Sequence, residues 1–197
     1  MFVSQNDTNM KNKNYQITDL EKDFAINHLG KTRDAFVNKV QNLKEDEWYH
    51  RPSPSQWSLA ECADHILQTE LYFFKPTLDK MLSAPPDSDK QKEAIGKDTA
   101  AYASMEDRSY KLKGKPWEEV FEKKIDKENL IQAFVTKRNE MINWVRNTDE
   151  ELRVHFTYFP GLETIDAYQL VLFVSGHTTR HTEQIQDIID SEFFPKS

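Results

Sequence analysis

Residues 164–189 have the sequence TIDAYQLVLFVSGHTTRHTEQIQDII, in which apolar side chains recur at the spacing of an amphipathic helix. His177 and His181 lie on the same apolar stripe as Leu170 and Ile188. Four helical steps of about 100° place the second imidazole within about 40° of the first, one turn further along. The pattern therefore predicts a helix that turns two imidazoles toward the interior, where an unpaired polar group is costly.

Three other segments have helical periodicity and are predicted to pack against this one: residues 17–43, 58–82 and 127–146. Leu20 and Phe24 belong to the apolar stripe of the first segment, and Arg138 falls on that of the third. Ser58 and Glu61 form a capping box at the start of the second segment. The prediction is an all-α protein with four long helices.

Proline and glycine mark the connections between these helices. Pro76 predicts a kink or an early end in the second helix. The charged residues 87–126 are interpreted as a long crossover between helices two and three, with a short helix near Pro116. Pro160 and Gly161 predict a turn within residues 147–163.

Composition limits the classes of function. The chain has 197 residues, with a flexible tail predicted over residues 1–16 and one domain over residues 17–197. A net charge of −7 argues against nucleic acid as the main partner. The single cysteine, Cys62, indicates a reducing compartment, and no apolar stretch is long enough for a membrane span. We therefore expect a soluble cytoplasmic protein without a membrane or nucleic-acid partner.

A third histidine lies on the inward side of the second helix, at His65. If that helix faces His177 and His181, three neutral imidazoles can bind one metal ion. Three protein ligands with an open fourth position are typical of catalytic rather than structural zinc sites. From spacing alone, however, such histidines are more often ordinary core residues than ligands.

Residues next to these histidines have candidate roles. Glu61 is interpreted as a helix cap before a hydrogen-bond partner or general base, and Gln184 as a residue that orients a ligand or lines the pocket. Arg180 is predicted to be a structural salt-bridge or rim residue rather than a catalyst, and Cys62 a small buried hydrophobic residue rather than a ligand. Three aromatic residues are candidate pocket walls: Trp57, Tyr72 and Phe173. The remaining histidines are predicted to be surface or packing residues: His28, His50 and His155.

Two segments resemble a known family. Residues 57–66, WSLAECADHI, contain W-S-x-x-E-x-x-x-H, and residues 176–185, GHTTRHTEQI, contain H-x-x-R-H-x-x-Q-I. In this order they resemble the DinB-like superfamily, which includes bacillithiol transferases and mycothiol-dependent enzymes. The resemblance extends over residues 17–189.

The resemblance implies a four-helix bundle with one long crossover and a metal triad of His65, His177 and His181. Zinc or nickel is the expected divalent metal, with iron or manganese as other options. The implied activity is transfer of a low-molecular-weight thiol, such as bacillithiol, to a small electrophile. A metal can stabilise the thiolate, but it can also activate water, so a metal-dependent hydrolase is an alternative. A non-catalytic bundle that binds a metal or a small molecule is another, and a homodimer is plausible for the family.

Overall fold

Four long helical segments form a bundle in the computed structural model, which describes residues 15–103 and 124–195. The first is α1, Asp19–Val40. The second consists of α3, Leu59–Thr69, and α4, Lys75–Ser83, joined by a π-helical turn at Glu70–Phe74. The third is α7, Lys127–Asn147, and the fourth is α8, Ala167–Ile189. The predicted four-helix bundle is confirmed.

Short elements connect the bundle helices: α2 at Glu45–Trp48, α5 at Gln91–Ala94, α6 at Asp98–Ala103, a 3₁₀ turn at Leu152–Val154, and strands β1 at Phe156–Phe159 and β2 at Glu163–Asp166. The predicted crossover lies between α4 and α7, and its described part contains α5 and α6, of which α6 packs against α8. The helix predicted near Pro116 and most of the predicted tail lie outside the described residues. Among the described residues, no helix combines the length and hydropathy needed to cross a membrane.

Capping residues determine where the helices begin. The Ser58 hydroxyl accepts from the Glu61 amide at 3.2 Å, and the Glu61 carboxylate accepts from the Ser58 amide at 2.7 Å. This is the predicted capping box. Asp166 and Gln169 form another at the start of α8. The fourth helix therefore begins at Ala167, three residues after Thr164, near which its start was predicted.

The π turn keeps one face of the second helical segment buried. Its interior positions Ile66, Glu70, Phe74 and Leu78 recur every four residues, whereas an α-helix repeats every 3.6 residues. The wider π turn compensates for this drift, and the Lys75 amide donates to the Glu70 carbonyl five residues before it. The irregularity predicted from Pro76 is thus a π turn just before the proline, which interrupts the helix without ending it.

Residues 156–166 form a β-hairpin, where only a turn was predicted. Strands β1 and β2 are antiparallel, with Phe156 opposite Asp166 and Phe159 opposite Glu163. The Leu162 amide donates to the Phe159 carbonyl at 3.1 Å. Gly161 has a φ of 85°, as the third position of a type II turn requires. The predicted turn is confirmed, and the strands beside it add a small β element to a helical protein.

Two apolar clusters make up the core, and both extend across all four helical segments. One contains Leu29, Phe74, Ile142 and Val174 with their neighbours. The other contains Phe36, Leu67, Phe134 and Ile185 with theirs. Between the clusters each segment places a buried polar side chain, and we call these four residues the polar layer: Thr32, Glu70, Arg138 and Thr178.

The apolar stripe predicted for α1 was wrong at its first two residues, Leu20 and Phe24. Leu20 is 83% exposed, and Phe24 is also exposed. At about 100° per residue, Leu20 lies roughly 140° around the helix from the buried Ala25. The buried face of α1 instead includes Leu29 and Phe36.

Arg153 attaches the crossover to the bundle. Its guanidinium donates to both Asp98 oxygens, at 2.9 and 2.7 Å, and to Asp166 at 2.8 Å. It also pairs with Glu21 at the start of α1. Burial raises the pKa of Asp166 to about 6. One cation thus joins α1, α6 and the cap of α8.

Two glycines should respond to alanine with opposite signs. A Cβ at Gly161 or at Gly30 meets no atom within 4 Å, so only the backbone conformation differs. Gly161→Ala should lower the free energy of unfolding by about 1 kcal/mol, because its φ is positive. Gly30→Ala lies within α1 and should raise it by roughly 0.5–1 kcal/mol. Urea unfolding of both variants tests this, and a loss of stability at Gly30 would contradict it.

Candidate metal centre

Three histidines from two helical segments converge inside the bundle. His65 is on α3, one turn after Glu61 of the capping box, and His177 and His181 are one turn apart on α8. Their ring centroids are 5.2 Å apart for His65 and His177, 4.5 Å for His65 and His181, and 4.5 Å for His177 and His181. One ring nitrogen from each lies within 4.8 Å of the others. The structure therefore brings together all three predicted ligands.

Burial favours the neutral form of His65 and of His177. It lowers the pKa of His65 to about 4. The pKa of His177 is well below its ordinary value, first because of burial and then because of His181, His65 and the cations Arg138 and Arg180. A neutral imidazole has a lone pair available for a metal, whereas a protonated one does not.

Gln184 contacts one of the three histidines. The Nδ1 of His181 lies 2.9 Å from the Oε1 of Gln184, one turn along α8. With Nδ1–H donating to this oxygen, the lone pair of the neutral ring is at Nε2. Such partners hold the tautomer and ring orientation of metal-binding histidines. Gln184 was predicted to orient a ligand or line the pocket, and its contact with His181 leaves that role a prediction.

The residues present fit a divalent ion. The buried Nδ1 of His177 has no hydrogen-bond partner among the described residues, and an orphaned buried nitrogen is costly. Within residues 15–103 and 124–195, the only group of histidine, cysteine and acidic side chains close enough to hold an ion is this triad. Three imidazoles suit zinc, nickel or iron, and at a four-coordinate centre they leave one position open.

Aromatic rings surround the triad. Trp57 lies 4.9 Å from His65 and stacks on His181 at 6.3 Å between centroids. Phe74 meets His177 edge to face at 5.5 Å. Trp57, just before α3, and Phe74, in the π turn, therefore place aromatic rings against the histidines of both helices.

The sequence pattern of the DinB superfamily matches residues 28–185, which include all three histidines. The chain belongs to the DinB superfamily. No curated protein matches the sequence significantly. Among solved structures, the fold is similar to that of YfiT from Bacillus subtilis, with a TM-score of 0.59, 13% sequence identity and 89% of each chain covered. That protein is described as a probable metal-dependent hydrolase with an unusual four-helix bundle topology.

The predicted walls of this DinB-superfamily site are correct only in part. Trp57 contacts the histidines, but Tyr72 is 64% exposed, because it lies on the outer side of the π turn. Phe173 packs on Phe74 at 5.5 Å, and it is Phe74 that touches His177. Phe74 was missed, because its inward direction depends on the π turn.

The other predicted neighbours take mainly structural roles. Glu61 caps α3 and pairs with Arg51. Cys62 is buried, and burial raises the pKa of its thiol to about 12, so it is a packing residue as predicted. Arg180 is partly buried, and its charge acts on His177.

The three remaining histidines lie outside the triad. His155 is buried, with its Nδ1 2.9 Å from the Met81 carbonyl, and His50 packs against Phe194. His28 lies between the rings of Phe24 and Tyr102. These packing roles match the prediction.

Sequence reasoning missed the partners of Arg138. This arginine is 0% exposed, and it pairs with Glu70, which is 3% exposed. It also donates to the Thr178 hydroxyl at 2.7 Å and to the Thr32 hydroxyl at 2.8 Å. An arginine on an apolar stripe requires a buried anion, and that requirement could have directed attention to Glu70.

The metal-free protein should lose stability in mild acid through His65. Its pKa of about 4 lies below the ordinary histidine value of 6.5, so the unfolded chain binds the extra proton and stability falls as pH drops between these values. Linkage gives a loss of about 2 kcal/mol from about pH 7.5 to about pH 5. The measurement is urea unfolding of wild type and His65→Gln with chelator present.

Asp166 changes the stability with the opposite sign, so the contribution of His65 is measured as the difference between the two proteins. Its pKa is raised by burial to about 6, so protonation favours the folded state as pH falls. Both proteins contain Asp166, and only wild type contains the histidine. Equal pH dependence in the two proteins would contradict the neutral, buried state of His65.

Proposed function

We propose that this protein is a metal-dependent enzyme that joins a low-molecular-weight thiol, such as bacillithiol, to a small electrophile. The observation that supports it is the convergence of three imidazole nitrogens within 4.8 Å in the bundle interior. A divalent ion held there, zinc or nickel first, would supply a Lewis acid that lowers the pKa of a thiol or a water molecule.

The roles of the side chains follow from their contacts. His65, His177 and His181 act as the ligands, and Gln184 holds the tautomer of His181. Trp57 contacts the rings of His65 and His181, where it would exclude water from a bound ion and offer an apolar surface to the electrophile. The thiol gives its proton to solvent, its sulfur forms a bond to the electrophilic carbon, and the leaving group departs with the electron pair of the carbon bond that breaks.

The hydrogen bonds and ion pair that Glu61 already makes favour a thiol over water as the nucleophile. Its Oε2 accepts from the Ser58 amide and hydroxyl, and its Oε1 pairs with Arg51. A carboxylate engaged in this way is a poor general base. A thiol has an ordinary pKa of about 8.5, much nearer to neutral than that of water, so it needs less help from a base.

A metal-dependent hydrolase is the second candidate. The observation that favours it is the similarity in fold to YfiT, a probable metal-dependent hydrolase. The same histidines would then hold the ion, and a water molecule would take the place of the thiol.

Metal analysis is the first test. Protein purified without chelator or affinity metal should contain about one equivalent of a divalent ion, as three histidine ligands suffice for one centre. His177→Ala should lose the ion, while His28→Ala should retain it, because His28 lies between Phe24 and Tyr102. No metal in any of the three after addition of zinc, nickel, iron and manganese would overturn the metal centre.

Turnover then separates the candidates. Bacillithiol-dependent consumption of an aryl halide should fall by more than about a hundredfold in His177→Ala, since even outer partners of a metal site are worth 10–100-fold. Cleavage of an activated ester without thiol would establish the hydrolase instead. Bound metal with neither activity would leave a binding protein.

A further inference from the structure

We infer that the buried Arg138–Glu70–Thr178 contact is a positioning device that fixes α8 against α3 so that the three histidines converge. The inference rests on the proposed metal centre. It adds a role for residues that are not among the three candidate ligands, and it makes metal affinity depend on the polar layer.

Every donor of Arg138 is used. Its Nε donates to Glu70 at 3.3 Å, and one terminal nitrogen donates to the other Glu70 oxygen and to Thr178 at 2.7 Å. The second terminal nitrogen donates to Thr32 at 2.8 Å and to the Leu29 carbonyl at 3.2 Å. The rigid planar guanidinium therefore accepts one arrangement of its partners, and it restricts the relative position of the helices more than an apolar contact does.

The partners of Arg138 lie next to the metal ligands in sequence. Thr178 directly follows His177 on α8, and Glu70 begins the π turn five residues after His65. Thr178 also donates to the Val174 carbonyl at 3.1 Å, so its hydroxyl has one orientation. The contact thus connects the two segments that supply all three imidazoles.

Rotation of α8 is the movement that this contact prevents. Side chains reach about 5–6 Å from a helix axis, so a rotation of roughly 10° displaces an imidazole by about 1 Å. Metal–ligand distances tolerate only about 0.2 Å. An anchor one residue from His177 therefore has a direct effect on how well the ligand nitrogens meet.

A matched pair of threonines tests the inference. Thr32 and Thr178 both accept from Arg138, and both donate to a carbonyl four residues earlier in their own helix, at 3.0 Å from Thr32 to His28 and at 3.1 Å from Thr178 to Val174. Thr32 is on α1, which contributes no ligand. Thr32→Val and Thr178→Val therefore remove the same kind of bond from the same arginine, and only the second removes it from the helix with two histidines.

The measurement is the affinity for Zn²⁺, and separately for Ni²⁺, of metal-free protein in competition with a chromophoric chelator. Thr178→Val should bind the ion about tenfold more weakly than wild type, in the range known for outer partners of metal sites. Thr32→Val should stay within about twofold of wild type, and Thr178→Ser, which keeps the hydroxyl, should do the same. Urea unfolding of each variant shows whether the two valine variants lose similar stability.

The outcomes are distinct. If wild type binds neither ion, a zinc or nickel centre fails and this inference fails with it. If wild type binds and the two valine variants have equal affinity, only the positioning role is overturned. If Thr178→Val does not fold, Glu70→Gln tests the contact from the α3 side: a tenfold weaker affinity would support the role, and an unchanged affinity would overturn it.

Discussion

The buried guanidinium of Arg138 is the constraint on which the arrangement of the bundle depends. A charge in the interior is tolerated only when it is paired and fully hydrogen-bonded. Here Glu70 supplies the charge, and α1 and α8 supply the remaining acceptors. Removing one member of such a pair typically costs about 3–5 kcal/mol, whereas apolar replacement of both is often neutral. The pair therefore contributes to specificity of packing, because all four helical segments must be in register for its donors to be satisfied.

The same layer explains why the candidate site lies mid-bundle. Apolar clusters occupy both sides of the layer, so polar groups of the interior are concentrated between Val174 and Ile185 on α8. His177 and His181 fall in that interval. The charge of Arg138 next to them disfavours protonation of His177, in the same direction as burial. His177 and His181 thus lie buried beside a packed polar layer, where the charge of a bound ion would be screened less than in water.

The sequence predicts what depends on local interactions. The capping box of Ser58 and Glu61, the turn at Gly161 and the spacing of His177 and His181 were all recognisable, because each involves residues within one turn of chain. The errors concern tertiary relations. Leu20 looked apolar and inward but lies beyond the covered face of α1, and Tyr72 turns outward because the π turn changes the helical phase. The triad was assembled only with help from the family pattern, since no local rule brings His65 to α8.

Only one tertiary distance governs the candidate centre. His177 and His181 are set relative to each other by a single turn of α8, and they would keep their spacing in any protein that forms this helix. His65 must come from a separate segment, so the relation of α3 to α8 alone decides whether three nitrogens converge. Apolar packing permits small rotations and slides at little cost, whereas a guanidinium with five directed bonds does not. A bundle that needs one accurate distance in its interior has a physical reason to keep an expensive buried ion pair beside it.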